Sequence, residues 1–269
     1  MGAEPFREVA LEAARAAGEL LREGFGANQR FALKSSRLDL VTEYDRRSEA
    51  LIVDKIGARF PDHEILAEES SASLRGTGSP YRWLIDPLDG TTNFAHGYPI
   101  FAVSIALARD DEPLLGVVYN PVLDELFFAE RGRGAMLNGR PIRVSGIDKL
   151  GQALLATGFP YDPGQIGLNL ELFERFIYRA QAIRRDGSAA LNLCYVACGR
   201  FDGFWELDLR PWDIAAGALI VREAGGEVTA FSGGELDLYG NEVLASNGKI
   251  HQEMVAVLRG GLDFPSEGE

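Results

Sequence analysis

Histidine and cysteine are nearly missing from this chain, at three and two in 269 residues. The cysteines, Cys194 and Cys198, stand four apart in SAALNLCYVACG, a helical pattern with the wrong spacing for a CxxC redox pair or a zinc knuckle. They read as small buried thiols, and nothing argues for an oxidising compartment. His63 and His96 have no companion at metal-ligand spacing and receive no role. Positive charge is short as well: 27 basic against 40 acidic residues leave a formal charge of −13, which disfavours attraction to nucleic-acid phosphate or anionic lipid. No segment reaches the roughly 18 uninterrupted apolar residues of a membrane span. The start, MGAEPFREVALEAARAAGELLREGF, is broken by acids where a signal peptide would run apolar. The expectation is a soluble, cytoplasmic protein without direct nucleic-acid binding.

What is present is globular, with 46% hydrophobic and 25% charged side chains, enough for a large core. Apolar residues at Phe6, Val9, Ala10, Ala13, Ala17, Leu20 and Leu21 give a helix over 5–25 that stops at Gly24 and Gly26, and the spacing predicts a second over 46–59 with Asp45 as N-cap. From YRWLID onward, IFAVSIALA, LLGVVYN, ELFFAE and GAMLNG read as consecutive strands of one mainly antiparallel sheet. Near residue 150 strands alternate with helices: strand ALLATGF, helix 168–180, strand QAIR, helix 188–198, strand GFWEL, helix 213–224, then strands GEVTAF and EVLAS. The chain therefore divides into an α+β half over 1–148 and an α/β half over 149–269, packed without a low-complexity linker. Only the tail RGGLDFPSEGE is expected to be loose.

The stretch IDPLDGTTNF concentrates the chemistry. Strand YRWLID delivers Asp86 to its carboxyl end, Pro87 holds Asp86 extended, and a tight turn at Leu88, Asp89 and Gly90 lets TTNF open a short helix whose free N–H groups favour an anion. Carboxylates this close to each other and to a phosphate repel unless hard divalent cations intervene, and oxygen-only ligands point to magnesium, manganese or calcium rather than zinc. A lone D-x-x-D-G is more often a solvated surface turn. Two further acidic segments weigh against that here: AEES, with Glu68 and Glu69, and RPWDIAAGALIVREAGG, with Asp213 just ahead of an apolar helix, although alone the first reads as a solvated loop and Asp213 as an N-cap. An EF-hand is excluded, since counting from Asp86 places glycine fifth and Gly97 twelfth. A haloacid-dehalogenase layout, D-x-D-G-T, fits poorly because these aspartates are three apart.

DPLDGTTNF, the upstream EES and the downstream PWDIAAGALIVREAGG resemble, in order and kind, the inositol monophosphatase family of magnesium-dependent, lithium-sensitive phosphatases. The likeness extends to LKSSRLDLVTEYD at 33–45 and DGSAALNLCYVACGRFDGFWE at 186–206. It implies a five-layer αβαβα sandwich with the site between the halves, a homodimer, and two to three Mg2+ per site. Glu68, Asp86 and the Leu88 carbonyl would hold one ion, and Asp86, Asp89 and Asp213 a second, with Glu68 helping a weaker third. Thr91 and Asp45, with Glu68, would orient and deprotonate the attacking water, and Gly90 and Thr91 N–H groups would hold the phosphate. Asp89, the turn Gly187, Ser188 and Ala189, and Glu206 would contact the alcohol.

The activity so implied is hydrolysis of a small phosphate monoester, myo-inositol 1-phosphate above others. Fructose 1,6-bisphosphate, histidinol phosphate and 3′-phosphoadenosine 5′-phosphate are the alternatives in the same fold, and a regulatory role with the transcription machinery is the rival class. Lys34 reads as solvated, Arg184 and Arg185 as structural ion pairs or as neighbours of phosphate or a partner subunit, and Trp83, Trp205 and Trp212 as packing.

Overall fold

The computed structural model describes residues 4–26, 31–33, 40–70, 78–162 and 164–260. Lys34 and the tail beyond residue 260 lie outside them.

Helix α1 (Glu4–Gly24) follows the predicted apolar stripe and packs beside α2 (Glu43–Arg59), after a short hairpin of β1 (Phe31–Leu33) and β2 (Leu40–Thr42). The N-cap of α2 is Thr42, not Asp45: the Thr42 hydroxyl accepts from Tyr44 N–H, while Asp45, three residues on, accepts from Thr42 N–H at 2.8 Å. This reciprocal capping box starts the helix three residues earlier than the apolar pattern indicates.

Seven strands then form the first sheet in the order β3-β4-β5-β6-β7-β8-β9. They are β3 (Glu64–Ala67), β4 (Tyr81–Asp89), β5 (Ala102–Arg109), β6 (Glu112–Asn120), β7 (Glu125–Glu130), β8 (Ala135–Leu137) and β9 (Arg140–Pro141). A single turn of helix, α3 (Thr91–Ala95), interrupts the run after β4. Only the β3–β4 pair is parallel. Alternation along these strands feeds two cores. Trp83, Ile85, Val103, Ile105 and Val117 face α1 and α2, whereas Leu84, Ala102, Ala106, Val118 and Phe127 face the opposite way.

The second sheet, ordered β11-β10-β12-β14-β13, comprises β10 (Leu154–Thr157), β11 (Ala182–Arg184), β12 (Gly203–Leu207), β13 (Glu227–Thr229) and β14 (Glu242–Ser246). Two helices fill the space between the sheets: α5 (Ala189–Ala197), buried at every position, and α6 (Pro211–Glu223). Beyond the second sheet, α4 (Ile166–Ile177) and α7 (His251–Leu258) cover Leu155, Trp205 and Leu244. The result is the five-layer αβαβα sandwich. Cys194 lies in its apolar middle layer, and burial pushes its thiol pKa well up, as expected of an inert structural cysteine. Two other scarce residues are also structural: His63 Nδ1 accepts from the Trp83 indole N–H at 3.1 Å, and Trp205 donates to Asn169 Oδ1 at 3.0 Å.

The layers approach closely where glycine stands. A Cβ on Gly116 of β6 would lie 2.8 Å from the carbonyl oxygen and 2.9 Å from the Cα of Ala216 on α6, and backbone cannot rotate aside. Gly116→Ala is therefore expected to destabilise the fold by about 1–3 kcal/mol, the usual cost of overpacking. Urea denaturation checks this, and an unchanged midpoint would refute so tight a sheet–helix contact.

Candidate active site

Strand β4 does not end at Asp86 but continues to Asp89 through an irregularity: Asp86 pairs with Ser104, and Asp89 with Ala102. Residues three apart on a regular strand point to opposite faces. The extra residue reverses one of them, so Asp86 and Asp89 both enter one cavity of about 560 Å³. Proline suits this position, having no N–H to leave unpaired. The other backbone groups of the bulge are satisfied locally, with Leu88 N–H donating to Asp86 Oδ1 at 2.9 Å and the Pro87 carbonyl accepting from Ser48 Oγ at 2.8 Å.

Gly90 adopts φ +90°, and a Cβ there would approach the Ile100 and Gly187 carbonyls at 3.0 and 3.2 Å, so the turn requires glycine. Thr91 then opens α3. Its hydroxyl donates to Asp45 Oδ1 at 2.8 Å and contacts the Leu88 carbonyl at 3.1 Å. Asp45 is fully buried behind Thr91, and also accepts from Thr42 Oγ1 at 2.6 Å. Burial raises its pKa against the pull of these donors.

Other elements bring the remaining acids. Glu68 follows β3 in a loop held to α2 by Glu69 N–H donating to Glu49 Oε2 at 2.7 Å. Asp213 is not an N-cap: it stands three residues after Arg210, the N-cap of α6, and accepts from Arg210 N–H at 2.7 Å. The start of α6 is tied to the first sheet by Ser104 Oγ, which donates to the Trp212 carbonyl at 3.1 Å. Asp89 reaches across to α5, accepting from Ala190 N–H at 2.9 Å and from the Ser188 hydroxyl. Ser188 itself is buried, while Gly187 and Ala189 line the cavity. Glu206 enters from β12.

The electrostatics are those of crowded like charges. Asp86 is 2% exposed, and burial, followed by the charges of Glu68, Asp89 and Asp213, pushes its pKa well above the usual carboxyl value. Asp213 is raised in the same way, by burial and then by Glu68. Asp89 is pushed up to about 6 by burial despite the donors of α5. Among the described residues no three acidic, histidine or cysteine side chains converge as a preformed metal cage; Glu68, Asp86, Asp89 and Asp213 share a field rather than one point. That field, made by oxygen donors alone, fits hard divalent cations, whose charge would relieve the repulsion.

Every residue predicted for the site thus lines this cavity or lies directly behind it. Sequence reasoning missed other wall residues, among them Gly158, Tyr161 and Gln165. The available signal was topological: β10 and β12 are parallel neighbours, so the segment following β10 emerges beside Glu206 at the end of β12. Arg185 also lines the cavity, and Trp212 packs at its edge. Arg184, at the end of edge strand β11, is exposed and, among the described residues, bonds only its neighbour's carbonyl.

The inositol monophosphatase family model matches residues 3–261. The chain is 51% identical over 252 residues to an inositol-1-monophosphatase of Synechocystis sp., covering 93% of this chain and 88% of that protein. It is 45% identical over 265 residues to the Nus factor SuhB of Pseudomonas aeruginosa, covering 95% and 96%. The solved structure of an inositol monophosphatase from Anabaena superposes with a TM-score of 0.86 at 43% identity, over 97% of each chain.

Glu206 carries a pH-dependent stability. It is 9% exposed, and burial raises its pKa to about 8, against the opposing pull of Arg185. A carboxyl whose folded pKa exceeds its unfolded value stabilises most below the unfolded range, near about 4.3. That contribution is lost as pH rises through about 8. Between about pH 5 and about pH 9, Glu206→Gln is expected to lose less stability than the unsubstituted protein in urea titrations. Parallel losses would contradict the assignment.

Proposed function

The chain belongs to the inositol monophosphatase family, a family of metal-dependent phosphoric monoester hydrolases, and from that premise we propose that its cavity hydrolyses a small polyol phosphate, myo-inositol 1-phosphate above others. The observation that carries this reading is the opposition of two chemistries in one cavity: a repelling acidic cluster on the bulge, loop and α6 side, and the buried acceptor Glu206 on the β12 side. In this reading Glu68, Asp86, Asp89, Asp213 and the Leu88 carbonyl hold two to three Mg2+. Bound there, the ions supply acidification of a water and stabilisation of the leaving oxygen.

The protein's own groups do the rest. Because the Thr91 proton is directed at Asp45, its oxygen lone pairs are free to accept from a water in the cavity and orient it. Asp45, buried behind Thr91 and accepting from its hydroxyl at 2.8 Å, is the proton acceptor, with Glu68 as a second. The first-turn N–H groups at Gly90 and Thr91 have no helical partner and in this reading hold the phosphate. Asp89, the 187–189 turn and Glu206 contact the alcohol, where buried acceptors penalise a substrate that lacks hydroxyls. The relative named a Nus factor supports a second role beside catalysis, association with the transcription machinery.

Phosphate release is the test, using inositol 1-phosphate, fructose 1,6-bisphosphate, histidinol phosphate and 3′-phosphoadenosine 5′-phosphate, each with magnesium and with a chelator. Magnesium-dependent turnover led by inositol phosphate is expected. Another leading substrate would move the specificity, and no turnover would favour the binding role. Asp89→Asn should retain the fold and lose more than the roughly 100-fold typical of residues one step removed from a metal; a fully active variant would sink the metal assignment.

A homodimer completes the proposal. Helix α4 leaves Leu170 and Ile177 exposed on one side, with Tyr178 exposed just beyond its end, and packs on β11, an edge strand of the second sheet. An apolar helix face beside an open edge is best covered by a second copy. Light scattering should return the dimer mass, and the double substitution Leu170→Glu with Ile177→Glu should return the monomer. A monomeric parent protein would rule the dimer out.

A further inference from the structure

Two arginines line the cavity among the described residues: Arg210 pairs with Asp208 at 3.7 Å, and Arg185 is left unused by the hydrolytic arrangement. Arg185 lies in the turn between β11 and α5, on the rim of the cavity. Its Nη1 is 3.0 Å from where a Cβ on Gly187 would stand, beside the Asn93 amide. The guanidinium therefore rests over a bare glycine Cα, in a turn that Asn93 fixes by donating to the Asp186 carbonyl at 2.7 Å. Glu206 is seated in the same manner: a Cβ on Gly158 would stand 1.9 Å from its Oε1 and 2.1 Å from its Cδ. Two glycines make room for two opposite charges.

Neither charge is spent on the protein. Among the described residues the Glu206 carboxylate has no hydrogen-bond donor and Arg185 no acid within ion-pair distance, although the two sense each other electrostatically. The Glu206 carboxyl offers an acceptor oxygen in either protonation state, and a guanidinium only donates hydrogen bonds. A vicinal diol satisfies both, one hydroxyl donating while its neighbour's oxygen accepts. A second anionic group on the alcohol would suit Arg185 but oppose Glu206, and a plain alkyl or aryl group would satisfy neither.

Resting on the polyol-phosphate reading above, we infer that Arg185 and Glu206 form a recognition pair for adjacent hydroxyls of the substrate alcohol, which makes Arg185 a specificity-determining residue. The pair reads the alcohol and takes no part in bond cleavage, so its loss is felt in KM and only on substrates that carry the diol.

Steady-state kinetics of the magnesium-loaded enzyme on inositol 1-phosphate and on phenyl phosphate separate the possibilities. Arg185→Gln should raise KM for inositol 1-phosphate roughly tenfold, the usual size of a lost hydrogen bond to a charged group, with little change in kcat. Turnover of phenyl phosphate should barely move, and Arg185→Lys should recover part of the loss. Gly158→Ala, which displaces Glu206, should reproduce the same selectivity from the opposite wall. Equal losses on both substrates, or no loss on either, would overturn the inference while leaving the polyol-phosphate reading intact. If the parent enzyme hydrolyses phenyl phosphate but not inositol 1-phosphate, that reading fails and the recognition pair fails with it.

Discussion

Repulsion among buried carboxylates is the constraint on which this molecule is built. Burial, and then the charge of Glu68 and of the neighbouring aspartates, raises the cost of ionising Asp86 and Asp213, in a setting where Asp86 is almost wholly enclosed. Left to relax, such side chains would turn apart or take up protons. Each aspartate is instead pinned by a donor fixed in the backbone or in a buried hydroxyl: Leu88 N–H for Asp86, the start of α5 for Asp89, Arg210 N–H for Asp213. The pins come from three different elements, so the acidic cluster exists only when both sheets and the helices between them are assembled.

The middle layer is what makes such assembly possible. Two helices can converge on one cavity only if they lie side by side between the sheets, and α5 and α6 do so with Gly217 of α6 set against the Leu193 side chain. Their starts, at Ala189 and Pro211, both open toward the acids, and a helix N-terminus favours negative charge. The same N–H groups that no helix can satisfy internally become the carboxylate anchors. Burying these helices on all sides removes the polar face that would have marked them as amphipathic.

That removal explains much of what was and was not legible in the sequence. The first sheet announces itself, because β4 to β7 alternate between two cores and are punctuated by turn residues. The acids of the site are equally visible, since aspartate at the end of an apolar strand followed by glycine and threonine has few uses. The bulge is not visible: nothing in DPLD distinguishes a strand that ends from one that gains a residue and continues. Asp45 and Asp213 were both read as N-caps although each stands three residues into its capping motif, an error of one turn that the apolar pattern alone invites. The cavity wall of Gly158 and Arg185 had no local signal, because what a glycine makes room for is decided by a distant strand.

The division of labour between the walls follows from this geometry. Asp86, Asp89 and Thr91 are fixed by a bulge and a turn in which Leu88 N–H and the Pro87 and Leu88 carbonyls are tied to neighbouring side chains, so that wall has little freedom to change. The facing wall is made from strand ends and the loops after them, where Glu206 and Arg185 are each seated on a glycine and, among the described residues, make no hydrogen bond or ion pair. In the proposed reading, substitutions there would change the fit to the alcohol without disturbing the acids. The proposed chemistry rests on this asymmetry, a firmly tied wall that holds the acids and a lightly bonded one that faces them.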